Sequence, residues 1–243
     1  MTTEPAAVPR PGPRWARPPT WGIPDALLCW LAGGFVAGLA AIPVYGRASE
    51  SPLYTFGVIL PAQQLTIFLA VIFVSRMKGR GSLAADFGFR LQIGDIRALF
   101  LGAGLEVGLA IAVLPLLTLT RNAEPQQLLR ELDQSRGTPP VLLFVIGAVV
   151  AAPLVEELLF RGLLLRALLR RLEPVGAVLI SAVVFALVHY VGDPSTLPFL
   201  PALAGLGAVL GVIALRTNSL SRPILIHAGF NLTTTLLYLA ASR

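Results

Sequence analysis

The chain has 243 residues, of which 55% are hydrophobic and only 13% are charged, and its mean hydropathy is +0.76. This composition excludes a disordered chain and an ordinary soluble domain, and it is typical of a helical protein that crosses a membrane several times. The net charge is +6, but most of the cations stand at the ends of apolar runs, where they act as topology signals. We therefore expect no nucleic-acid partner.

The first 20 residues are rich in Pro and Arg and have no apolar core, which predicts a disordered cytoplasmic tail. After this tail, about seven apolar runs are long enough to cross a bilayer, and the number of spans is expected to be between six and eight. The predicted fold is therefore all-α, a polytopic bundle of membrane helices. The predicted spans lie near residues 24–45, 53–75, 98–120, 139–161, 175–191, 196–215 and 222–241.

Arginines are concentrated on one side of this arrangement. If the N-terminus is inside, the inner loops carry most of the Arg residues and Lys78, as the positive-inside rule requires. The preference for Arg over Lys and the high Ala content indicate a GC-rich bacterial genome. We expect a multi-pass protein of the bacterial inner (plasma) membrane with its N-terminus in the cytoplasm.

The motifs divide the chain into two membrane parts, 21–138 and 139–241. The first part contains segment 82–97, which is mixed in polarity and is expected to lie along the inner interface. Pairs of glycines four residues apart predict close helix packing inside the bundle. These pairs are Gly34/Gly38, Gly104/Gly108 and Gly207/Gly211.

Ionisable groups within apolar runs indicate a functional site, because they are costly in a bilayer. Glu156-Glu157-x-x-x-Arg161 is the first such motif. Glu157 and Arg161 share a helix face and can pair, whereas Glu156 is rotated by about 100° and is free to face a cavity. Pro153 frees a backbone carbonyl in the same helix.

The chain has only two histidines, and each has a polar or aromatic residue four positions away. In Phe185-x-x-x-His189, Phe185 is expected to form a wall of the substrate pocket. A tight reversal at Glu173-Pro174 would bring His189 to the depth of Glu156, because each lies about sixteen residues from the turn.

His227-x-x-x-Asn231 is the second histidine motif. If its helix starts near residue 222 at the membrane surface, His227 lies only about 7 Å deep. To meet Glu156, either the loop 216–222 must dip inward or the site must lie close to the cytoplasmic leaflet.

Two chemistries fit these residues. In the first, Glu156 activates a water as general base and His189 shares or orients it, while His227 and Asn231 donate hydrogen bonds to a developing oxyanion. In the second, Glu156, His189 and His227 hold Zn²⁺, although the chain has no H-E-x-x-H pair. Glu106 either supports this site or links two helices.

In this order and at these separations, the three motifs resemble the CPBP family of intramembrane proteases. That family includes type II C-a-a-X prenyl endopeptidases and bacterial Abi-like proteins of bacteriocin processing or immunity. The resemblance covers about residues 139–241. It implies an all-helical membrane hydrolase in which Glu156 activates water and His189 is its catalytic partner. It assigns supporting roles to Glu157 and Arg161 and an oxyanion site to His227 and Asn231.

The resemblance leaves zinc open, because the family is labelled a metalloprotease family and a metal-independent glutamate mechanism is also proposed for it. Its implied partners are the lipid bilayer and a membrane peptide or protein substrate. Bacteria generally lack prenylated C-a-a-X proteins, so we expect the substrate to be another membrane peptide or protein rather than a C-a-a-X-like one. The alternative function is a non-catalytic binding or bacteriocin-immunity protein that uses the same pocket. A proton-coupled transporter is disfavoured because the sequence shows no inverted repeat.

Overall fold

The structure, a computed structural model, describes residues 18–44, 52–90, 92–120, 126–134 and 138–241. Most of the tail predicted over residues 1–20 lies outside these ranges. Several of the arginines on which the predicted orientation depends also lie outside the described ranges. They are Arg10, Arg14, Arg17, Arg47, Arg121, Arg136 and Arg243.

All regular structure in the described residues is helical, and seven of the helices are long and apolar enough to cross a membrane. This confirms the all-α bundle. The spans are α1 (Ile23–Val44), α2 (Pro52–Lys78), α4 (Ile93–Thr118), α6 (Thr138–Leu168), α7 (Pro174–Gly192), α8 (Pro194–Thr217) and α9 (Ser221–Ala241). Two short helices lie between spans, α3 (Leu83–Phe87) and α5 (Gln127–Gln134).

The segment expected along the interface, 82–97, divides into two structures. Residues 93–97 open α4 in 3₁₀ conformation. The α3 part folds under the bundle: Phe87 is fully buried and packs on Trp21 with ring centroids 5.3 Å apart. Asp86 accepts hydrogen bonds from Ser75 Oγ at 2.6 Å and from the amide of Arg80 at 2.8 Å, which satisfies its buried carboxylate.

Helix α6 lies at the centre of the bundle. Every residue from 157 to 165 is buried, and α6 contacts α1, α2, α7, α8 and α9. Apart from Glu157 and Arg161 this buried stretch is apolar, as expected for a helix segment that is surrounded by protein on all sides. The core around it includes residues from both parts of the chain, among them Trp21 and Val71 from the first part. The predicted site motif Glu156–Arg161 therefore lies where neighbouring helices meet.

Helix α9 packs against α4 through two glycines that allow backbone to touch backbone. A Cβ at Gly229 would collide with Leu99 O, and a Cβ at Gly102 would collide with Ile226 O. Small residues at a helix interface permit this close approach in membranes. The contact holds the start of α9, which carries His227, against the first part of the chain.

The three predicted glycine pairs have different outcomes. Gly207 and Gly211 pack on α7, where added Cβ atoms would lie 3.0 Å from Ala182 Cα and 3.2 Å from Val178 Cγ1. This confirms their role in helix packing. For Gly34/Gly38 and Gly104/Gly108 the prediction was wrong, because a Cβ at any of these four would have no described atom within 4 Å. Four-residue spacing places two glycines on one face of a helix, but it does not say whether that face meets another helix.

The contact between α4 and α9 can be tested with Gly229→Ala. The new methyl group would press on the backbone at Leu99, which cannot move aside as a flexible side chain can. We expect a loss of about 1–3 kcal/mol in stability, the usual cost of overpacking, measured by thermal unfolding in detergent. Gly104→Ala is the matched control, since its methyl group enters open space. Equal stability of the two variants would contradict the tight contact.

Candidate active site

Helix α6 departs from regular α-helical geometry on both sides of the predicted acid pair. Its hydrogen bonding has the wider π pattern over Ile146–Ala151 and again over Leu158–Leu164, with a short α segment, Ala152–Glu157, between them. Such π turns within α-helices are frequent at functional sites. The acid pair Glu156 and Glu157 thus sits at the boundary between the two geometries.

Pro153 frees a carbonyl, as the sequence indicated, and Asn231 takes it. In the π pattern an N–H at position 153 would bond to the oxygen of Ala148, but proline has none. Asn231 Nδ2 donates to Ala148 O instead, at 2.8 Å. This bond ties α9 to α6. It uses one of the two Nδ2 hydrogens, so one N–H remains for the oxyanion role predicted for Asn231.

The Glu157–Arg161 pair forms as predicted. Both side chains are fully buried, and Arg161 Nη1 donates to Glu157 Oε1 at 2.8 Å. Arg161 Nη2 donates to the oxygen of Gly207 at 3.0 Å. The Arg161 guanidinium carbon also lies 4.6 Å from the ring centre of Phe185, a favourable cation–π arrangement. The cation is therefore neutralised, hydrogen-bonded and stacked inside the protein.

Glu157 also orients the imidazole of His227. His227 Nδ1 lies 3.1 Å from Glu157 Oε1. Since a carboxylate can only accept, Nδ1 must donate, and in the neutral ring Nε2 then carries a free lone pair. Nε2 points towards Glu156 and lies 3.8 Å from its Oε2.

His189 is held in the same manner by a different acceptor. Its Nδ1 lies 2.7 Å from the backbone oxygen of Phe185, so Nδ1 again is the donor. His189 Nε2 lies 3.8 Å from Glu156 Oε2, which confirms that the hairpin at Glu173-Pro174 brings the two residues to one depth.

Glu156 lies between the two imidazoles and differs from its neighbour Glu157 in its surroundings. Its side chain is 20% exposed, whereas that of Glu157 is fully buried and bonded to Arg161 through Oε1. Oε2 of Glu156, like Oε2 of Glu157, has no hydrogen-bond partner among the described residues. This is the division between a held acid and a free acid that the sequence predicted. The separation of 3.8 Å from each Nε2 is too long for a direct hydrogen bond and is the range in which a water bridges polar groups.

The start of α9 explains how His227 reaches the depth of Glu156, although it lies close to the start of its helix. Leu220 and Ser221 are fully buried, because the loop after α3 covers them. The amide of Arg90 donates to Ser221 Oγ at 3.0 Å, and Ser219 Oγ donates to Gly88 O at 3.0 Å. Helix α9 therefore begins inside the protein, and His227 reaches Glu156 from there.

Phe185 forms one wall of the cluster, as predicted. It is fully buried, and its ring centre lies 4.6 Å from that of His189 and 5.7 Å from that of His227. Phe160 packs edge-on against it at 5.2 Å. The sequence does not reveal the roles of Phe160 and of the carbonyls of Gly207 and Ala148, since an apolar residue in an apolar run and a backbone oxygen carry no distinctive signal.

Glu106 lies apart from the cluster. Its carboxyl group lies near Thr234, three residues beyond Asn231. The Thr234 hydroxyl donates to the oxygen of Phe230 at 3.2 Å. Of the two roles considered for Glu106, its position near Thr234 favours a link between α4 and α9.

The side chains of Glu156, His189 and His227 are of the types that bind zinc, but the distances between their donor atoms are too long for a zinc site. Two imidazole nitrogens and a carboxylate oxygen are common zinc ligands, and each imidazole has the anchored Nδ1 that such ligands require. Ligands about 2.0–2.1 Å from a tetrahedral zinc lie about 3.4 Å apart, whereas Glu156 Oε2 is 3.8 Å from each Nε2. No group of three or more His, Cys, Asp or Glu side chains in the described residues meets the geometry of a metal site.

The comparison with protein families matches residues 138–233 to the model described as type II CAAX prenyl endopeptidase Rce1-like. Residues 138–233 are therefore similar to Rce1-like proteins. The match confirms the resemblance to CPBP proteases for this part of the chain. No curated protein and no solved structure matches the chain.

The Rce1-like domain runs from the start of α6 into the second half of α9 and contains every candidate site residue. The Rce1-like family is one of proteases. Helix α4, whose backbone touches α9, lies outside the matched residues. The domain therefore has its polar cluster inside a membrane bundle that other helices complete.

The role of the buried ion pair can be tested with Arg161→Met. Removing the guanidinium leaves Glu157 as an uncompensated buried charge, so we expect a loss of about 3–5 kcal/mol in stability. Thermal unfolding in detergent measures this. Arg171→Met is the control, because Arg171 is exposed. The double change Glu157→Gln with Arg161→Met should recover part of the loss, and a double variant no more stable than Arg161→Met would contradict the pairing argument.

Proposed function

We propose that this protein is an intramembrane endopeptidase in which Glu156 activates the attacking water. The observation that carries the proposal is the unpaired Oε2 of Glu156 between the Nε2 atoms of His189 and His227. Each imidazole is anchored through Nδ1, so both Nε2 atoms face the same carboxylate oxygen. The similarity of residues 138–233 to a protease family supports the hydrolytic reaction.

The reaction follows from these positions. A water bound between Glu156 and the Nε2 of His189 would give a proton to the carboxylate while its oxygen attacks the peptide carbonyl carbon. When the C–N bond of the resulting tetrahedral species breaks, Glu156 returns that proton to the leaving amine nitrogen. Water is thus divided between the two products, and no covalent bond to the enzyme forms.

The developing oxyanion needs N–H donors. Asn231 has one Nδ2 hydrogen that its bond to Ala148 does not use. His227 can donate from Nε2 when its ring carries a second proton, and the carboxylates of Glu156 and Glu157 lie on either side to balance that charge. One preorganised donor of this kind is worth about 3–4 kcal/mol in the transition state.

The substrate proposed is a membrane-associated peptide or protein. The catalytic cluster is built from α6, α7 and α9, three membrane-spanning helices, and such a site is reached by a segment that is itself in the bilayer. The protein is proposed to lie in the inner membrane of a bacterium with its N-terminus inside. Unmodified membrane peptides are then the first substrates to try, beside prenylated C-a-a-X-like ones.

The primary test is cleavage of a mixed panel of prenylated and unmodified membrane peptides by the purified protein in detergent. Glu156→Gln keeps the shape of the side chain and removes the base, so we expect cleavage to fall by about 10²–10⁴-fold or more. Glu173→Gln is the matched control, since Glu173 is an exposed acid at the turn before α7. We expect this control to cleave as the unchanged protein does.

The outcomes separate the competing functions. Equal cleavage by the unchanged protein and Glu156→Gln would remove Glu156 as the base. If both folded proteins leave the panel intact while still binding a peptide, a binding or immunity function replaces the peptidase.

Metal dependence is tested on the same substrate. Because the ligand spacing does not fit zinc, we expect cleavage to persist after dialysis against a chelator, and added Zn²⁺ to give no increase. Metal content of the active protein is measured alongside. Loss of cleavage with the chelator and its return with about one equivalent of Zn²⁺ would instead assign metal binding to Glu156, His189 and His227.

A further inference from the structure

A polar cavity of about 510 Å³ lies away from the catalytic cluster, at one end of the bundle. Two loops enclose it, the one between α2 and α4 and the one between α8 and α9. Its polar lining includes Arg80, Arg90, Gln92, Arg166, Asn218 and Ser219. We call it the arginine cavity.

The rim of the arginine cavity is built by close backbone packing. Gly88 has φ +68° and faces the oxygen of Asn218, where a Cβ would collide. Asn218 itself has φ +46°, and its Oδ1 accepts from Arg166 Nη2 at 3.4 Å. Two left-handed helix ends therefore hold the two loops together, which gives the cavity a defined wall.

No acidic residue lines the arginine cavity in the described part of the chain. Three arginines line it, and none of the three forms an ion pair with another described residue. Arg80 and Arg166 lie close enough to repel each other. The adjoining cavity of about 290 Å³ differs, because there Asp95 accepts from Arg222 Nε at 3.0 Å.

Asp86 does not supply the missing anion. It acts on Arg166 through space, but it is buried and lies outside the lining. Its oxygens accept from Ser75 Oγ and from the amides of Arg80 and Gly81. Arg80 and Arg166 donate to neutral oxygens, those of Ala85 and Asn218. Neighbouring cations without an ion-pair partner favour an anionic ligand from outside the chain.

We propose that the arginine cavity binds a phosphate group, supplied by the headgroup of an anionic phospholipid. Arginine matches phosphate because its planar guanidinium can donate two parallel N–H···O bonds, and the side-chain amide of Gln92 adds a further donor. Basic pockets between membrane helices bind lipid headgroups in the same way.

The position of the arginine cavity supports a lipid as the source. Its loops follow the ends of apolar spans, since α2 ends at Lys78, α6 at Leu168 and α8 at Thr217. These ends mark where the hydrophobic span gives way to polar loops, which is the level of phospholipid phosphates. A lipid with its chains along the bundle would place its phosphate there. Free inorganic phosphate has the same chemistry, but its binding would not require a cavity at the level of the lipid headgroups.

The test measures binding to the purified, delipidated full chain in neutral detergent by native mass spectrometry and by the shift in thermal unfolding. The probes are short-chain phosphatidylglycerol, phosphatidylcholine of the same chain length, and inorganic phosphate. The variants are Arg90→Gln and Arg166→Gln. Arg90→Gln should fold normally, because the side chain of Arg90 is exposed and only its backbone amide is hydrogen-bonded. Arg76→Gln removes an exposed cation outside the cavity and is the control.

We expect phosphatidylglycerol to bind the unchanged protein and Arg76→Gln alike, and to bind each cavity variant at least about tenfold more weakly, the effect of losing one charge-assisted hydrogen bond. Phosphatidylcholine should bind more weakly than phosphatidylglycerol. Equal binding of inorganic phosphate and phosphatidylglycerol, lost in the same variants, would make free phosphate the ligand and overturn the lipid assignment. Binding that is unchanged in Arg90→Gln and Arg166→Gln, or no binding at all, would overturn the site. The result does not depend on peptidase activity.

Discussion

The ion pair between Glu157 and Arg161 is the interaction on which the site depends. Both charges are fully buried, and a buried charge is costly unless it is paired and hydrogen-bonded. Arg161 is paired with Glu157, donates to the Gly207 carbonyl and stacks on the Phe185 ring, whereas its Nε has no hydrogen-bond partner among the described residues. Glu157 in turn holds His227. One pair in the central helix thereby connects α6 to α7, α8 and α9. It leaves Glu156 as the acid that has no arginine partner and is partly exposed.

The second constraint is the attachment of α9. The helix begins inside the protein beneath the loop after α3, touches α4 backbone to backbone at Gly229, and is tied to α6 by Asn231. These three contacts set the depth and rotation of His227. The loop that covers the start of α9 is also a wall of the arginine cavity, so the arginine cavity and the polar cluster around Glu156 share one supporting structure.

Much of the site could be predicted because its residues are polar in an apolar chain. The helical period was enough to pair Glu157 with Arg161, and equal distances from the Glu173-Pro174 turn were enough to place His189 beside Glu156. The depth of His227 could not be derived, since it depends on Leu220 and Ser221 being covered by a distant loop. The glycine pairs show the same limit: Gly207 packs on α7, whereas Gly104 faces open space, and spacing alone does not distinguish them.

By itself, the sequence determined the membrane class, the seven spans, the candidate residues and the two acids' different environments, because these follow from hydropathy, helical period and the cost of charge in lipid. Only the tertiary structure decided which carbonyls complete the site, where α9 begins, and that Arg80, Arg90 and Arg166 converge on one cavity. Those features join residues from separate helices and loops. Their meeting depends on how backbones approach one another, and no local pattern in the chain records that approach.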